Sequence, residues 1–272
     1  MATNASEPGL FQSQRATGNT LRHVLNKVPE VTLYFWAIKI LATTVGETAA
    51  DFLNVRMHLG LVVTSYVMSA VFLVALFVQM RTTRYVRPIY WTVVVFISVV
   101  GTLVTDNIVD KFGVSLQTTT ILFSCILALI FAIWWRIEHT LSVHEITTTR
   151  REGFYWAAIL FTFALGTSAG DLLGETLRLG YALSAVVFAI AIAAVGLAYF
   201  RFKINGVLAF WIAYILTRPL GASLGDLLSQ PLANGGLALG TTLTSAVFLA
   251  TIVALIVYLN YRQRQQPSLA TA

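Results

Sequence analysis

The sequence is short of charge and nearly devoid of cysteine, and each shortage narrows the class of protein. Only 11% of the 272 residues are Asp, Glu, Lys or Arg, whereas 57% are hydrophobic. A soluble domain carries about 25% charged residues, so an aqueous globular protein is disfavoured. The net charge of +6 comes from basic residues spread over short loops, which argues against a nucleic-acid partner. A single cysteine, Cys125, excludes an intrachain disulfide.

What the sequence does contain is a series of long apolar runs. About 20 apolar residues cross a bilayer as a helix, and runs of that length lie at 31–52, 59–80, 89–109, 113–135, 154–174, 178–200, 205–228 and 237–259. They predict an all-α polytopic membrane protein with eight transmembrane helices, whose first partner is the lipid bilayer. Residues 1–30 are polar and lack the apolar core of a signal peptide.

Basic residues predict the orientation of these helices, because cytoplasmic loops are enriched in Lys and Arg. The N-terminal segment, the loops after helices 2, 4 and 6, and the tail hold Arg15, Arg22, Lys27, Arg81, Arg84, Arg87, Arg136, Arg150, Arg151, Arg201, Lys203, Arg262 and Arg264. The opposite side holds only Arg56, Lys111 and Arg178. Both termini are therefore predicted to be cytoplasmic, and helices 1, 3, 5 and 7 to end toward the outer face.

An internal repeat organises the whole chain. Four stretches align without gaps: "FWAIKILATTVGETAADFL", "YWTVVVFISVVGTLVTDNI", "YWAAILFTFALGTSAGDLL" and "FWIAYILTRPLGASLGDLL". Each has an aromatic–Trp pair, a Gly ten residues after the Trp and an Asp five residues after the Gly. The shared positions are Trp36, Trp91, Trp156, Trp211, Gly46, Gly101, Gly166, Gly221, Asp51, Asp106, Asp171 and Asp226. The chain is thus four tandem helix hairpins.

These hairpins group into two parallel halves. The predicted organisation is an N-terminal segment (1–28), membrane half 1 (29–140), a cytoplasmic linker (141–153), membrane half 2 (154–260) and a cytoplasmic tail (261–272). Since every repeat has two spans, all four enter the membrane in the same direction, and their pseudosymmetry axis should follow the membrane normal. The four Asp residues should then lie at a similar depth.

The aromatic–Trp pair followed by G-T-x-x-G-D-x-L resembles the bacterial membrane proteins built from a tandem repeat catalogued as domain of unknown function 347. The resemblance covers residues 29–260 and is clearest from Gly166 to Asp171 and from Gly221 to Asp226. Repeat 1 departs from the pattern at Glu47 and Ala50, and repeat 2 departs at Val104 and Thr105. The resemblance implies a multi-pass protein of the bacterial inner membrane, and it implies no activity.

Small residues spaced four apart predict which helices form the interior. Gly166, Gly170 and Gly174 lie on one helix face, as do Gly221, Gly225 and Ser229. Such faces let helices pack closely in lipid. The odd-numbered helices are therefore predicted to be the packed interior, with the Asp residues bordering a central crevice.

Carboxylates along the Asp stripes are the candidate site. Three repeats hold a pair four residues apart: Glu47/Asp51, Asp106/Asp110 and Asp171/Glu175. Such pairs could share a proton, or a hard cation such as Mg²⁺, Ca²⁺ or Mn²⁺. The predicted metal ligands are Glu47, Asp51, Asp106, Asp171 and Asp226, and the wider substrate- or cation-binding set adds Lys39, Arg218, Thr43, Thr102 and Thr167. The alternative is that Arg56, Lys111 and Arg178 pair with acids at the outer helix ends.

Two cations stand deep inside their spans. Lys39 and Arg218 lie too far from the helix ends to reach water easily, so each needs a partner. Glu47 or a repeat Asp is the predicted partner, and for Lys39 an acid from another repeat is favoured by the spacing. The alternative is a purely structural buried ion pair. Pro219 follows Arg218 and is predicted to kink or break helix 7.

Taken together, these features favour a transporter over other classes. It would be linked to a cation or proton, with a divalent metal such as Mn²⁺ or another small ion or solute as substrate; a channel with the four Asp as a selectivity ring is a variant. A non-transporting sensor or assembly protein is an alternative, and an intramembrane aspartyl protease is a weaker one. No enzyme activity or cofactor is expected, and a homo-oligomer is left open. His23, His58, His139 and His144 all lie outside the spans.

Overall fold

The computed structural model describes residues 26–265, and within them it contains eight long helices and no β-strand. The helices are α1 (Leu33–Asp51), α2 (Leu61–Arg81), α3 (Arg87–Asp106), α4 (Leu116–Glu138), α5 (Thr149–Asp171), α6 (Gly180–Phe202), α7 (Gly206–Ser229) and α8 (Thr241–Gln265). All eight coincide with the predicted runs. Most of the predicted segment 1–28 and the end of the tail 261–272 lie outside the described residues.

Capping residues, rather than the limits of the apolar runs, set the helix ends. The hydroxyl of Thr148 accepts a hydrogen bond from the Arg151 amide, so α5 begins at Thr149, five residues before the predicted start. The Asn205 side chain caps α7 in the same way. At the other end, His139 after α4 and Lys203 after α6 adopt the left-handed conformation that ends a helix.

The helices divide into an inner and an outer set. Seven of them are long and apolar enough to cross a membrane, and α1 is not among them. In the most apolar window of α2, α4, α6 and α8 only 11% or 17% of residues are buried, against 56% to 61% in α3, α5 and α7. The outer helices expose large apolar side chains such as Leu73, Phe77 and Ile190. A surface of that kind belongs in lipid, so the protein is a multi-pass membrane protein.

The inner set, α1, α3, α5 and α7, forms a closed ring. Each helix packs against the next, and α7 packs back onto α1. The repeat glycines make the close approaches: Gly46 against Ser98, Gly101 against Phe163, Gly166 against Arg218 and Gly221 against Thr43. In every case the partner is the residue eight positions before the repeat Asp of the following helix. This four-fold regularity confirms the prediction that the odd-numbered helices are the packed interior.

Each outer helix packs on the inner helix of the following repeat. Helix α2 lies against α3, α4 against α5, α6 against α7, and α8 against α1. The hairpins therefore interlock around the ring, and α8 covers the place where the last repeat meets the first. The packing continues without interruption across the predicted linker at 141–153.

Three of the inner helices end in a π-helical turn directly after the repeat Asp. These turns are Phe52–Arg56, Asn107–Lys111 and Leu172–Thr176. Helix α7 instead stays α-helical to Ser229. Pro231, at the position equivalent to Arg56, has no N–H with which to extend the helix. π-Helical turns often mark functional sites, so this end of the ring is distinctive.

Of the kink or break predicted at Pro219, the break is wrong. Helix α7 runs unbroken from Gly206 to Ser229 with Pro219 inside it. Proline removes one helical hydrogen bond, but the residue is fully packed in the ring and its Cδ faces Gly166. Neighbouring helices hold the segment in helical form where an isolated helix would bend.

Candidate site on the ring axis

The inner faces of the four ring helices form layers of side chains spaced four residues apart. We name each layer after a characteristic residue that it contains. From the N-terminal to the C-terminal ends they are the aromatic layer (Phe35, Tyr90, Tyr155, Phe210), the lysine layer (Lys39, Val94, Ile159, Tyr214), the arginine layer (Thr43, Ser98, Phe163, Arg218), the glutamate layer (Glu47, Thr102, Thr167, Ala222) and the aspartate layer (Asp51, Asp106, Asp171, Asp226). The first four layers are buried, and exposure begins at the aspartate layer.

Arg218 is the centre of the site. Its Nη2 donates to Glu47 Oε2 at 2.8 Å and to Thr167 Oγ1 at 2.7 Å, and also to the hydroxyl of Thr102. The Arg218 side chain is 0% exposed and that of Glu47 is 8% exposed. One guanidinium thus joins side chains from all four ring helices. The predicted partnership of Arg218 with Glu47 is confirmed.

The repeat explains why these groups meet. Glu47, Thr102 and Thr167 occupy the same position in three successive repeats, one turn before the Asp. The fourth repeat has the small Ala222 there and supplies Arg218 one turn earlier. This arrangement requires a glycine at position 166, because a Cβ on Gly166 would overlap Cβ and Cγ of Arg218. The glycine therefore lets the arginine stem cross the α5–α7 contact.

Lys39 has a different environment, and its predicted carboxylate partner is wrong. Its Nζ lies 4.4 Å from the centre of the Phe163 ring and 4.2 Å from that of Tyr214. Within residues 26–265 this nitrogen has no hydrogen-bond partner. Glu47 lies two turns away on the same helix and its Oε2 accepts from Arg218 instead. The two aromatic rings take the place of a carboxylate, and a desolvated cation–π contact of this kind is worth about 2 kcal/mol.

The aspartate layer gathers the four repeat acids around the axis. Each Asp interacts electrostatically with its two ring neighbours: Asp51 with Asp106, Asp106 with Asp171, Asp171 with Asp226, and Asp226 with Asp51. Asp226 is buried, and the other three are half-buried. Gln230 Nε2 donates to Asp51 Oδ2 at 3.4 Å. The acids thus share one region instead of facing separate loops.

Two further acids extend this region beyond the aspartate layer, at the C-terminal ends of the ring helices. Glu175 and Asp110 are exposed, and both act electrostatically on Asp51. Among residues 26–265, Arg56, Lys111 and Arg178 form no ion pair with any acid within 4.0 Å. The alternative that these bases neutralise the acids therefore finds no support. The C-terminal end of the ring is an acidic mouth.

The predicted metal ligands do not converge as ligands. In the described part of the chain no group of three or more His, Cys, Asp or Glu side chains is placed to hold a metal ion. Thr43, also predicted for the site, donates to the carbonyls of Ile40 and Thr217 and contacts Gly221. The contacts of Thr43 are thus those of helix packing. The assignment of a metal to the five acids stays a prediction.

Sequence reasoning missed two features near the N-terminal ends of the ring. One is the aromatic layer, in which the buried hydroxyls of Tyr90 and Tyr155 hydrogen-bond to each other. The sequence did contain a sign of this layer. Counting back from each repeat Asp in steps of four residues reaches the aromatic residue that precedes each Trp. The other is Glu152, which pairs with Lys27 at 2.8 Å and accepts from Gln79. It has no counterpart in the other repeats, so no pattern could reveal it.

Comparisons with known proteins identify the same four repeats and assign no function to them. The family model described as Repeat of Unknown Function (DUF347) matches four times in tandem, at residues 34–85, 89–140, 154–205 and 209–265. No curated protein matches the chain. No solved structure matches it either. The geometry of the site is therefore the basis for any functional argument.

Proposed function

Since the chain belongs to the family built from the repeat DUF347, whose name assigns no activity, we propose from its site that it is a cation- or proton-linked membrane transporter. The observation that carries the proposal is the buried Arg218–Glu47 pair on the axis of the ring, one turn from the half-buried aspartate layer. Ionisable groups inside a membrane protein are expensive and mark ion and substrate pathways.

Arg218 acts in this proposal as a built-in cation. Its guanidinium sits where oxygens of Glu47, Thr102 and Thr167 converge. A proton or substrate cation that reaches Glu47 competes with Arg218 for the same carboxylate. Protonation of Glu47, or its binding of another cation, releases Arg218 from the only acid within 4.0 Å of it among residues 26–265. The pair is thereby a switch whose two states differ in which cation the carboxylate holds.

Access to the pair is asymmetric, which supports transport over a continuously open channel. The glutamate layer lies one turn from the half-buried acids of the aspartate layer, which form the inner part of the acidic mouth. In the opposite direction the lysine and aromatic layers are buried, and in the aromatic layer Tyr90 and Tyr155 join the neighbouring helices α3 and α5 by a hydrogen bond. From the distribution of basic residues we infer that the acidic mouth faces the outer side of a bacterial inner membrane. This arrangement corresponds to a site closed from the cytoplasm, and transport requires the aromatic layer to open.

Flux measurements on the purified protein in liposomes test the proposal. A trapped pH-sensitive dye reports H⁺ movement, and metal-sensitive dyes report Mn²⁺, Mg²⁺ and Ca²⁺ movement in turn. We expect flux above that of protein-free liposomes for H⁺ or one of the cations. Glu47→Gln is expected to lower it on the order of tenfold or more, because the exchangeable carboxylate is gone. Asp106→Asn, which keeps the shape of the acidic mouth, is expected to lower it less.

The matched control is Glu145→Gln, which removes a carboxylate in the loop between α4 and α5, outside the layers of the ring axis. Its flux should equal that of the unaltered protein. Folded protein that moves neither protons nor any cation of the panel, in every variant, would refute transport of these ions. Flux that survives Glu47→Gln unchanged would instead remove the Arg218–Glu47 pair from the mechanism.

A further inference from the structure

A cavity of about 770 Å³ lies at the opposite end of the molecule from the acidic mouth. It opens where α1 and α3 begin and α8 ends. Three arginines line it, Arg84, Arg87 and Arg262, beside an apolar wall that includes Trp91 and Leu33. Cavities of roughly 300–1,000 Å³ are the size that organic ligands occupy. A pocket that combines guanidinium groups with apolar surface suits an anion that carries an apolar part.

Among residues 26–265, basic side chains outnumber acidic ones in the lining of this cavity. Arg87 Nη1 donates to the neutral side chains of Asn260, at 2.9 Å, and Gln263. Within residues 26–265 none of the three arginines forms an ion pair with an acid. The only acid among the described lining residues is Glu30, so three guanidinium groups face one carboxylate.

The start of α3 adds to the attraction for an anion. Helix α3 begins at Arg87, and no side chain caps the backbone N–H groups of its first turn, to which Pro88 contributes none. These groups and the helix dipole place partial positive charge at the edge of the cavity. Phosphate groups bind at helix N-termini for this reason, and the planar arginine fork matches phosphate oxygens in a bidentate manner. The preferred anion is thus a phosphate ester.

We propose that this cavity binds the phosphate headgroup of an acidic phospholipid. The protein is a multi-pass membrane protein, and the cavity lies at helix ends, at the level where headgroups are found. Leu33, which is 88% exposed, borders the cavity and offers an apolar surface to the lipid chains. The basic loops assign this end to the cytoplasmic leaflet, whose anionic lipids attract arginines close to the membrane. The inference concerns a second site and does not rest on the transport proposal.

Native mass spectrometry of the full chain in detergent, titrated with phosphatidylglycerol or phosphatidylcholine, tests the site. We expect one phosphatidylglycerol to be retained in preference to phosphatidylcholine, and to raise the melting temperature. Arg87→Gln and Arg84→Gln should each weaken retention on the order of tenfold, as expected for the loss of a charge-assisted bond to phosphate. Arg84→Gln makes the test independent of the Arg87 bonds to α8, whose loss alone could disturb the fold.

The matched control is Arg136→Gln, which removes an exposed arginine from the same basic side outside the cavity. An equal loss of phosphatidylglycerol in this variant would show that only the general charge of this side matters, and would overturn the site. Equal retention of phosphatidylcholine would overturn it as well. Inorganic phosphate that raises the melting temperature as much as the lipid, and displaces it, would assign the cavity to a soluble phosphate and overturn the lipid.

Discussion

The aspartate layer and the layers buried beneath it use the same repeat in opposite ways. All four repeats contribute an Asp to the aspartate layer, and three of those acids are half-buried. The layers beneath are fully packed, and there the symmetry is broken: Lys39 and Glu47 come from repeat 1 and Arg218 from repeat 4. The residues that all four repeats share thus form the ring and its acidic mouth, and the residues that differ between repeats form the buried site.

Burial explains why the symmetry breaks where it does. Four like charges can be held near water, where screening and hydration weaken their repulsion. A buried layer with several charges is stabilised when the charges are of opposite sign, because desolvation costs several kcal/mol per ion. Four identical residues cannot supply opposite signs, so a buried charged layer must differ between repeats. Glu47 and Arg218 meet this condition across the α7–α1 contact, where the ring closes.

The largest expected effect comes from breaking the buried pair. Arg218→Met leaves Glu47 without its charged partner, and we expect it to destabilise the protein by ~3–5 kcal/mol. Thermal unfolding of the purified protein in detergent measures the change. Arg218→Met combined with Glu47→Gln should recover much of the loss, because no buried charge remains. A double variant no more stable than Arg218→Met would contradict this account.

Arg150→Met is the matched control for that prediction. Arg150 also pairs with an acid, Glu138, whose side chain is only 6% exposed, but the Arg150 side chain is 67% exposed and Arg151 remains a second partner of Glu138. A pair whose arginine is exposed contributes about 0–1 kcal/mol, so the melting temperature of Arg150→Met should stay close to that of the unaltered protein. A drop as large as that of Arg218→Met would show that burial does not distinguish the two pairs.

The next effect concerns the glycines that let the helices approach. Gly166→Ala places a methyl group against Cβ and Cγ of Arg218, and such overpacking costs about 1–3 kcal/mol. Gly170→Ala, one turn later on the same face, meets Ala222 Cβ at 3.5 Å, an ordinary contact. It should be neutral, or slightly stabilising because alanine favours the helix. Equal melting temperatures for the two variants would contradict the close approach at Gly166.

The repeat made much of this arrangement predictable from the sequence. Equal spacing fixes the register along each helix, so the common position of the Asp residues and the need of Arg218 for an acidic partner, Glu47 or a repeat Asp, could be derived. Spacing does not say which helices are neighbours across the axis. The position of Lys39 between Phe163 and Tyr214 therefore could not be derived, nor could the packing of each outer helix on the following repeat. The π-helical turns depend on backbone packing at the helix ends, which no residue pattern encoded.

Lys39 and Arg218 offer a sharper comparison, because both are fully buried cations. Lys39→Met removes the charge and keeps the length of the side chain. It gives up ring contacts worth about 2 kcal/mol, and it also removes the desolvation penalty of an amine that has no acceptor among the described residues. We expect the melting temperature to stay within a few degrees of the original or to rise, in contrast to Arg218→Met. A fall equal to that of Arg218→Met would mean that Lys39 stabilises the fold through an anion.

The smallest effect on stability is expected at the aspartate layer. Asp51→Asn removes one of the like charges around the axis and keeps an oxygen that can accept from Gln230. Lower repulsion and a retained hydrogen bond predict a change within about 0.5 kcal/mol, as for most half-exposed positions. Flux through the protein in liposomes should fall nonetheless, because the mouth loses part of its attraction for cations. A large loss of melting temperature with unchanged flux would reverse the comparison: the aspartate layer would then stabilise the ring, and the layers beneath it would have to account for transport alone.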